Sequence, residues 1–180
     1  KKDKKRVLVL GGSQGAKIFS HIIPKVLIGI KQEYLKNLMI VQQTRKEDKT
    51  ILESTYNKLN VKCTVKEFFD DVQNEIYNSD IVIARSGALT VSEFIEAGIA
   101  SILIPYPYAV DNHQYHNGKI LEDKKAAFII QENEIENKLL EILFKIDRKK
   151  CFLMALNAQK GKLNSDVSKT IYSYCKEKIS

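Results

Sequence analysis

The stretch "VLVLGGSQGAKIF", residues 7–19, sets an apolar β-branched run against two glycines and a serine, and then enters a segment of helical period. A strand that turns through glycine directly into a helix is the opening unit of a parallel α/β sheet. The turn also has a chemistry of its own. Gly11 and Gly12 let the backbone bend sharply and approach a ligand closely, and a helix opening near Ser13 to Ala16 offers unpaired N–H groups and the positive end of its dipole. Anions belong there. The Ser13 hydroxyl serves either as a donor to a phosphate oxygen or as a helix cap, and this segment by itself fits both roles. The spacing of Gly11, Gly12 and Gly15 is neither G-x-G-x-x-G nor a P-loop, which weakens a plain dinucleotide or ATP reading.

Outward from this turn the same alternation repeats. "LMIVQQT" is followed by "EDKTILESTYNKL", "VKCTVKEF" by "DVQNEIYNS", and "DIVIARSG" by "LTVSEFIEAG". "ASILIPYP", "HQYHNGKILEDK" and "AAFIIQ" come next, and three helical stretches fill about 134 to 179. Six strands with intervening helices predict a doubly wound (Rossmann-like), six-stranded parallel sheet forming a single domain over residues 1–180. Pro24, inside the first helical pattern, is expected to kink or shorten that helix because it lacks an N–H. Ligands of such a sheet bind beyond the carboxyl ends of its strands, so the turns after strands one, three, four and five are the places to look.

The bulk numbers limit the classes of function. With 180 residues, 44% of them hydrophobic, the chain buries one sizeable core. Cys63, Cys151 and Cys175 stand at no metal-like spacing and make no disulfide framework, which fits a reducing, cytosolic setting. No apolar run reaches the roughly 18 to 20 residues of a membrane span, and the start "KKDKKRVLVLGG" is too short in its apolar part for a signal peptide, so the chain is expected to be soluble, with peripheral attachment left open. The net charge of +7 is concentrated at the ends: residues 1–6 carry +4, residues 145–180 carry +6 and the body between carries −3. A nucleic-acid reader would instead show a basic stripe with aromatics on its folded face, so no nucleic-acid partner is expected.

Three further turns carry chemistry. In "ARSGALTVSEFIEAG", residues 84–98, Gly87 permits close approach and Ala88 to Thr90 present N–H groups at a helix start. Thr90 and Glu93 have capping-box spacing, which gives a structural account; on the other reading, Glu93 faces the strand ends and accepts hydrogen bonds from a ribose diol. In "PYPYAVDNHQYHNGKI", from residue 105, His113 and Gln114 sit near a helix start, where sugar hydroxyls are readable. His116 reads as a surface residue, His21 has no evident partner, and no carboxylate or cysteine joins these histidines at metal-ligand spacing. In "KEFFDDV", residues 66–72, Phe68 and Phe69 are either core or the wall of a slot whose backbone meets a planar base.

Taken together, "GGSQGA", "EFFDD", "ARSGALTVSE" and "DNHQ", in this order and at these spacings over roughly residues 6–175, resemble the carboxyl-terminal half of the MurG family, bacterial glycosyltransferases that move N-acetylglucosamine from UDP-GlcNAc onto lipid I. The resemblance implies one lobe of the two-lobed GT-B fold. By the same resemblance Ser13 contacts a donor phosphate, the Phe69 backbone pairs with uracil with Phe68 and Val72 flanking the base, and Ala88, Leu89 and Thr90 meet the diphosphate and the sugar. Glu93 matches the ribose-binding glutamate and Gln114 the glutamine that reads sugar hydroxyls. Gly12, Gln14, Ser86, Gly87 and His113 complete the implied set, while Arg85 either balances the diphosphate or forms a structural ion pair. His113 stands where the family has His or Gln, which argues against catalysis by it.

The resemblance also implies an inverting, hexosyl-transferring enzyme that needs no metal cofactor, works in peptidoglycan synthesis and sits peripherally on the cytoplasmic face of the cell membrane. Two departures stand out. A family His-Gln-Thr-Gly stretch reads "QQTR" here, residues 42–45, so that Arg45 replaces a glycine turn and is expected to alter the loop. The family's amino-terminal domain, with its general base and lipid I surface, has no counterpart among these motifs, so no catalytic residue is expected in this chain and donor binding without transfer is expected of it. The rival reading is a stand-alone, non-catalytic nucleotide-sugar-binding subunit that docks on a membrane partner.

Overall fold

The computed structural model describes residues 4–160, except for the side chains of residues 13–16. Strand β1 (Lys5–Leu10) leads into α1 (Gly12–Ile28), and the short α2 (Gln32–Leu35) precedes β2 (Leu38–Gln43). There follow α3 (Lys46–Lys58), β3 (Lys62–Lys66), α4 (Val72–Tyr77), β4 (Ile81–Ala84), α5 (Ala88–Ala97), β5 (Ser101–Leu103), α6 (His113–Asp123) and β6 (Ala127–Ile129). Helices α7 (Ile135–Lys145) and α8 (Arg148–Ala158) end the described part. The third helical stretch expected near the carboxyl terminus falls outside the described residues.

All five strand pairings are parallel and the order is β3-β2-β1-β4-β5-β6, so the expected doubly wound sheet is present. The winding reverses between β1 and β4, where Leu10 pairs with Ala84. Both faces of the sheet are covered, which is why the central strand β4 (IVIA) is buried along its whole length rather than alternating. Val7 and Val9 of β1 point into one cluster with Phe19, Ile23 and Leu27 of α1, Leu52 and Tyr56 of α3, and Leu139 and Leu143 of α7. Leu8, between them, points into the other, with Phe69, Ile76 of α4, Val91 and Phe94 of α5, and Leu121 of α6.

Pro24 does not shorten α1, which runs unbroken through it for 17 residues. The Pro24 ring is buried. Packing of neighbouring Ile23, Val26 and Leu27 into the core outweighs the loss of one helical hydrogen bond. Helix α5 stops at Gly98, which takes the left-handed conformation (φ +64°) and donates its N–H to the Phe94 carbonyl at 3.0 Å. A side chain there would also come within 2.3 Å of the movable Gln159 amide. Gly98→Ala is therefore expected to lower stability by about 1–2 kcal/mol, the cost of an L-residue in that conformation, as read from the midpoint of urea unfolding.

Candidate functional site

Six loops leave the carboxyl edge of the sheet, and three of them converge at the reversal between β1 and β4. The first is the β1–α1 turn. Its N-cap is Gly11, and the helix begins at Gly12 in the left-handed conformation (φ +57°) with nothing within 4 Å of where a Cβ would lie. Backbone conformation rather than space therefore selects glycine. Ser13 is consequently the second residue of α1 and not its cap; its side chain and that of Gln14 lie outside the described residues.

The second is the β4–α5 turn. Gly87 is the N-cap and Ala88 the first helical residue, so the N–H groups of Ala88, Leu89 and Thr90 lack partners within the helix. Because Leu10 and Ala84 are paired, α1 and α5 start from adjacent strand ends, on opposite faces of the sheet, and the positive ends of both dipoles flank the reversal. Gly87 has an ordinary extended backbone (φ −62°, ψ 153°), and a Cβ on it would meet only Thr90 Oγ1, at 3.9 Å. The face above is open: Gly12, Ala88 and Glu93 are exposed, and Leu89 is 81% exposed. Ser86, by contrast, is fully buried beneath the turn, with its carbonyl accepting from Asn117 Nδ2 at 3.3 Å.

The capping-box account of Thr90 and Glu93 fails. That motif requires Thr at the N-cap and Glu at the third helical position, whereas Thr90 itself occupies the third position and Glu93 lies a full turn further on. Glu93 has no hydrogen bond or ion pair among the described residues and is exposed on α5, a turn beyond the free N–H groups of Ala88 to Thr90.

The third is the β5–α6 loop. Asp111 and Asn112 both take left-handed angles (φ +49° and +52°), an uncommon pair for non-glycine residues that turns the chain abruptly into α6. Gln114 accepts from the Tyr106 N–H through Oε1 at 2.9 Å, which leaves its amide NH2 without a partner among the described residues. The His113 ring is held at Nδ1 by the Val110 carbonyl, 2.7 Å away, and is exposed. His21 and His116 are exposed as well, the latter against the Tyr115 ring.

The β3–α4 loop separates the two phenylalanines cleanly. Phe69, 9% exposed, belongs to the core cluster beneath α4 and α5, and only its backbone remains for a base. Phe68 is 79% exposed and is the ring available to cover one. Val72 is half-buried at the start of α4, whose N-cap Asp71 accepts from the Asn74 N–H at 2.9 Å.

Arg85 resolves to the structural of its two alternatives. Its guanidinium pairs with Glu132 just after β6, donates to the Ile104 and Pro105 carbonyls at 3.2 and 3.1 Å, and lies between the Phe19 and Tyr106 rings, 5.4 Å from each centroid. Neither Glu132 nor Tyr106 was marked by any motif. They lie 47 and 21 positions from Arg85, at no spacing a sequence displays as a pair. Arg45 is the N-cap of α3 in ordinary extended geometry (φ −79°, ψ 157°), beside a buried Thr44 whose hydroxyl meets Ser20 Oγ at 2.7 Å. Desolvation on burial pushes the Cys151 thiol up to about 12, which leaves it inert as a nucleophile. Among the described residues no cluster of His, Cys, Asp or Glu has the form of a metal site, and no helix is long and apolar enough to cross a membrane.

The glycosyltransferase family 28 C-terminal domain matches residues 6–171. The chain belongs to that family. A family 28 relative from Rickettsia bellii, named UDP-N-acetylglucosamine--N-acetylmuramyl-(pentapeptide) pyrophosphoryl-undecaprenol N-acetylglucosamine transferase, is 42% identical over 144 residues, 78% of this chain and 40% of the relative. One of the same name from Wolbachia pipientis subsp. Culex pipiens is 33% identical over 174 residues, 95% of this chain and 51% of the relative. The crystal structure of Acinetobacter baumannii MurG superposes with a TM-score of 0.76 at 32% identity, over 88% of this chain and 46% of that one. A trehalose-phosphate synthase from Burkholderia vietnamiensis, at 9% identity and a TM-score of 0.58, shares the fold alone. The resemblance to the carboxyl-terminal half of the MurG family and the expected Rossmann-like GT-B lobe are thus shown, and this family 28 domain spans about half or less of the length of the relatives it matches.

Proposed function

We propose that this domain binds UDP-GlcNAc as the donor half of an enzyme that transfers GlcNAc to the undecaprenyl-pyrophosphoryl-MurNAc-pentapeptide acceptor named for its relatives. The observation that carries the reading is the adjacency of the α1 and α5 amino termini, with the unpaired Glu93 carboxylate beside them. On this reading the diphosphate lies against the N–H groups of Gly12, Ser13, Ala88, Leu89 and Thr90. Glu93 accepts both ribose hydroxyls, the Phe69 backbone meets the uracil edge under the Phe68 ring, and Gln114 donates its free amide to the sugar.

Negative charge grows on the diphosphate as the bond to the sugar breaks. Fixed dipoles already aimed at it lower that barrier without reorganising, which is the work a divalent cation does elsewhere. The general base and the acceptor surface are assigned to the part of the relatives that this chain does not span, and attachment to the cytoplasmic face of the membrane is assigned to the complete enzyme. Calorimetric titration of this chain with UDP-GlcNAc, UDP-glucose and UDP tests the reading. We expect saturable binding of all three with a 1:1 stoichiometry and unchanged affinities in excess EDTA. Absence of uridine-nucleotide binding by the folded chain, or binding that EDTA abolishes, would overturn it.

A further inference from the structure

The Arg85 guanidinium ties together α1, the end of β5 and the segment after β6. It leaves β4 immediately before the Ser86–Gly87 turn, packs on Phe19 of α1, donates to the two carbonyls that close β5, and ends on Glu132 after β6. On its other side lies Tyr106, whose ring it faces and whose N–H is the donor to Gln114 Oε1. A chain of contacts therefore runs from Glu132 through Arg85 and Tyr106 to the side chain of Gln114. Arg85 is largely buried, its side chain 11% exposed against 26% for Glu132. A buried cation held in place by one carboxylate is a demanding arrangement. Without the carboxylate, the guanidinium is left uncompensated and must move toward water, taking with it the carbonyls and ring it holds.

We propose that Glu132 is a positioning residue of the donor site: by fixing Arg85 it sets the β5–α6 loop, and so the placement of Gln114, without touching the ligand. This rests on the reading above that Gln114 engages the donor's sugar. Among the described residues Glu132 makes no hydrogen bond or ion pair to the nucleotide half of the site, carried by the α1 and α5 termini and by the β3–α4 loop. The consequence is selective: loss of Glu132 weakens the hold on the sugar and spares the hold on UDP.

The test uses this chain with Glu132→Ala, Glu132→Gln, Arg85→Lys and Gln114→Ala, read by calorimetry with UDP-GlcNAc and UDP and by amide hydrogen exchange. Losing one well-placed hydrogen bond to the sugar corresponds to about a tenfold weakening. Glu132→Ala is expected to shift the ratio of UDP-GlcNAc to UDP affinity by that much against the sugar nucleotide, with UDP changed less than about twofold. Glu132→Gln, which keeps an acceptor oxygen for the guanidinium, restores most of the ratio. Arg85→Lys, with its single ammonium in place of a fork, behaves like Glu132→Ala. Exchange of the Tyr106 amide quickens in Glu132→Ala while that of β1 and β2 stays slow, which separates the effect from global unfolding. Unchanged Tyr106 exchange, or equal weakening of both ligands, overturns the proposal. If Tyr106 exchange quickens but Gln114→Ala leaves the affinity ratio untouched, the failure belongs to the reading of Gln114 as the sugar contact, and the positioning of donor binding falls with it.

Discussion

Phe94→Ala is expected to lower the stability of the chain by about 3–5 kcal/mol, the range for truncating a fully buried aromatic. Phe94 is 0% exposed and fills the space between α5 and the second face of the sheet, against a cluster that includes Leu8, Val82 and Leu121. Its loss removes apolar burial and leaves a cavity that the surrounding strands, paired on both sides, cannot collapse to fill. Since a domain of this size is stable by only about 5–15 kcal/mol, the variant should unfold at a much lower urea concentration or be unfolded at 37 °C. The comparison that gives this its edge is the pair in the β3–α4 loop. Phe69→Ala should shift the midpoint in the same direction, and Phe68→Ala, which strips an exposed ring, should leave stability within about 0.5 kcal/mol. Equal shifts for Phe68 and Phe69 would remove the assignment of one ring to the core and the other to the surface.

That pair also shows what a sequence displays and what it hides. The alternation of short β-branched runs with helical segments declares the sheet because period and polarity are local properties. The doubly wound, parallel arrangement then follows from crossover rules, whereas the strand order is set by the packing of the whole sheet. "GGSQGA" and "ARSGAL" are legible as helix starts for the same reason, since a glycine-led turn into a helix is written in consecutive residues. What adjacent positions cannot show is which of two neighbours turns inward. "FF" reads the same in either orientation, and only the packing of α4 against α5 decides that Phe69 is covered. Thr90 and Glu93 misled as a possible cap because three-residue spacing is necessary to a capping box and not sufficient. The helix begins at Ala88, earlier than that motif requires. Pro24 did not end the helix because its local penalty is overridden by the packing of the helix as a whole. The Arg85–Glu132 pair was hidden altogether, because a contact across 47 positions has no local signature.

Glu93→Ala should weaken binding of UDP and UDP-GlcNAc by roughly ten- to a hundredfold, since hydrogen bonds to a charged acceptor contribute about 1.5–3 kcal/mol. The magnitude depends on the carboxylate's being available. Glu93 is exposed on α5 with no partner among the described residues, so its truncation removes nothing from the fold and should leave the unfolding midpoint where it was. Position along the helix sets what it can reach. At ~1.5 Å per residue, six residues put the Glu93 backbone about 9 Å along the axis from Gly87, and the side chain leans back across part of that span. A carboxylate directly on the diphosphate would repel it. At this remove it meets the group between phosphate and base, the ribose with its vicinal hydroxyls, whose two donors match its two oxygens. A double-mutant cycle with the ligand isolates the contact. Wild-type chain should bind UDP more tightly than its 2′-deoxy analogue, and Glu93→Ala should bind the two nearly alike, because the partner of the missing hydroxyl has gone as well. Discrimination that survives in Glu93→Ala would move the diol contact to another residue. A loss of UDP affinity with the two ligands still distinguished would mean that Glu93 acts on the phosphates through the field rather than on the ribose.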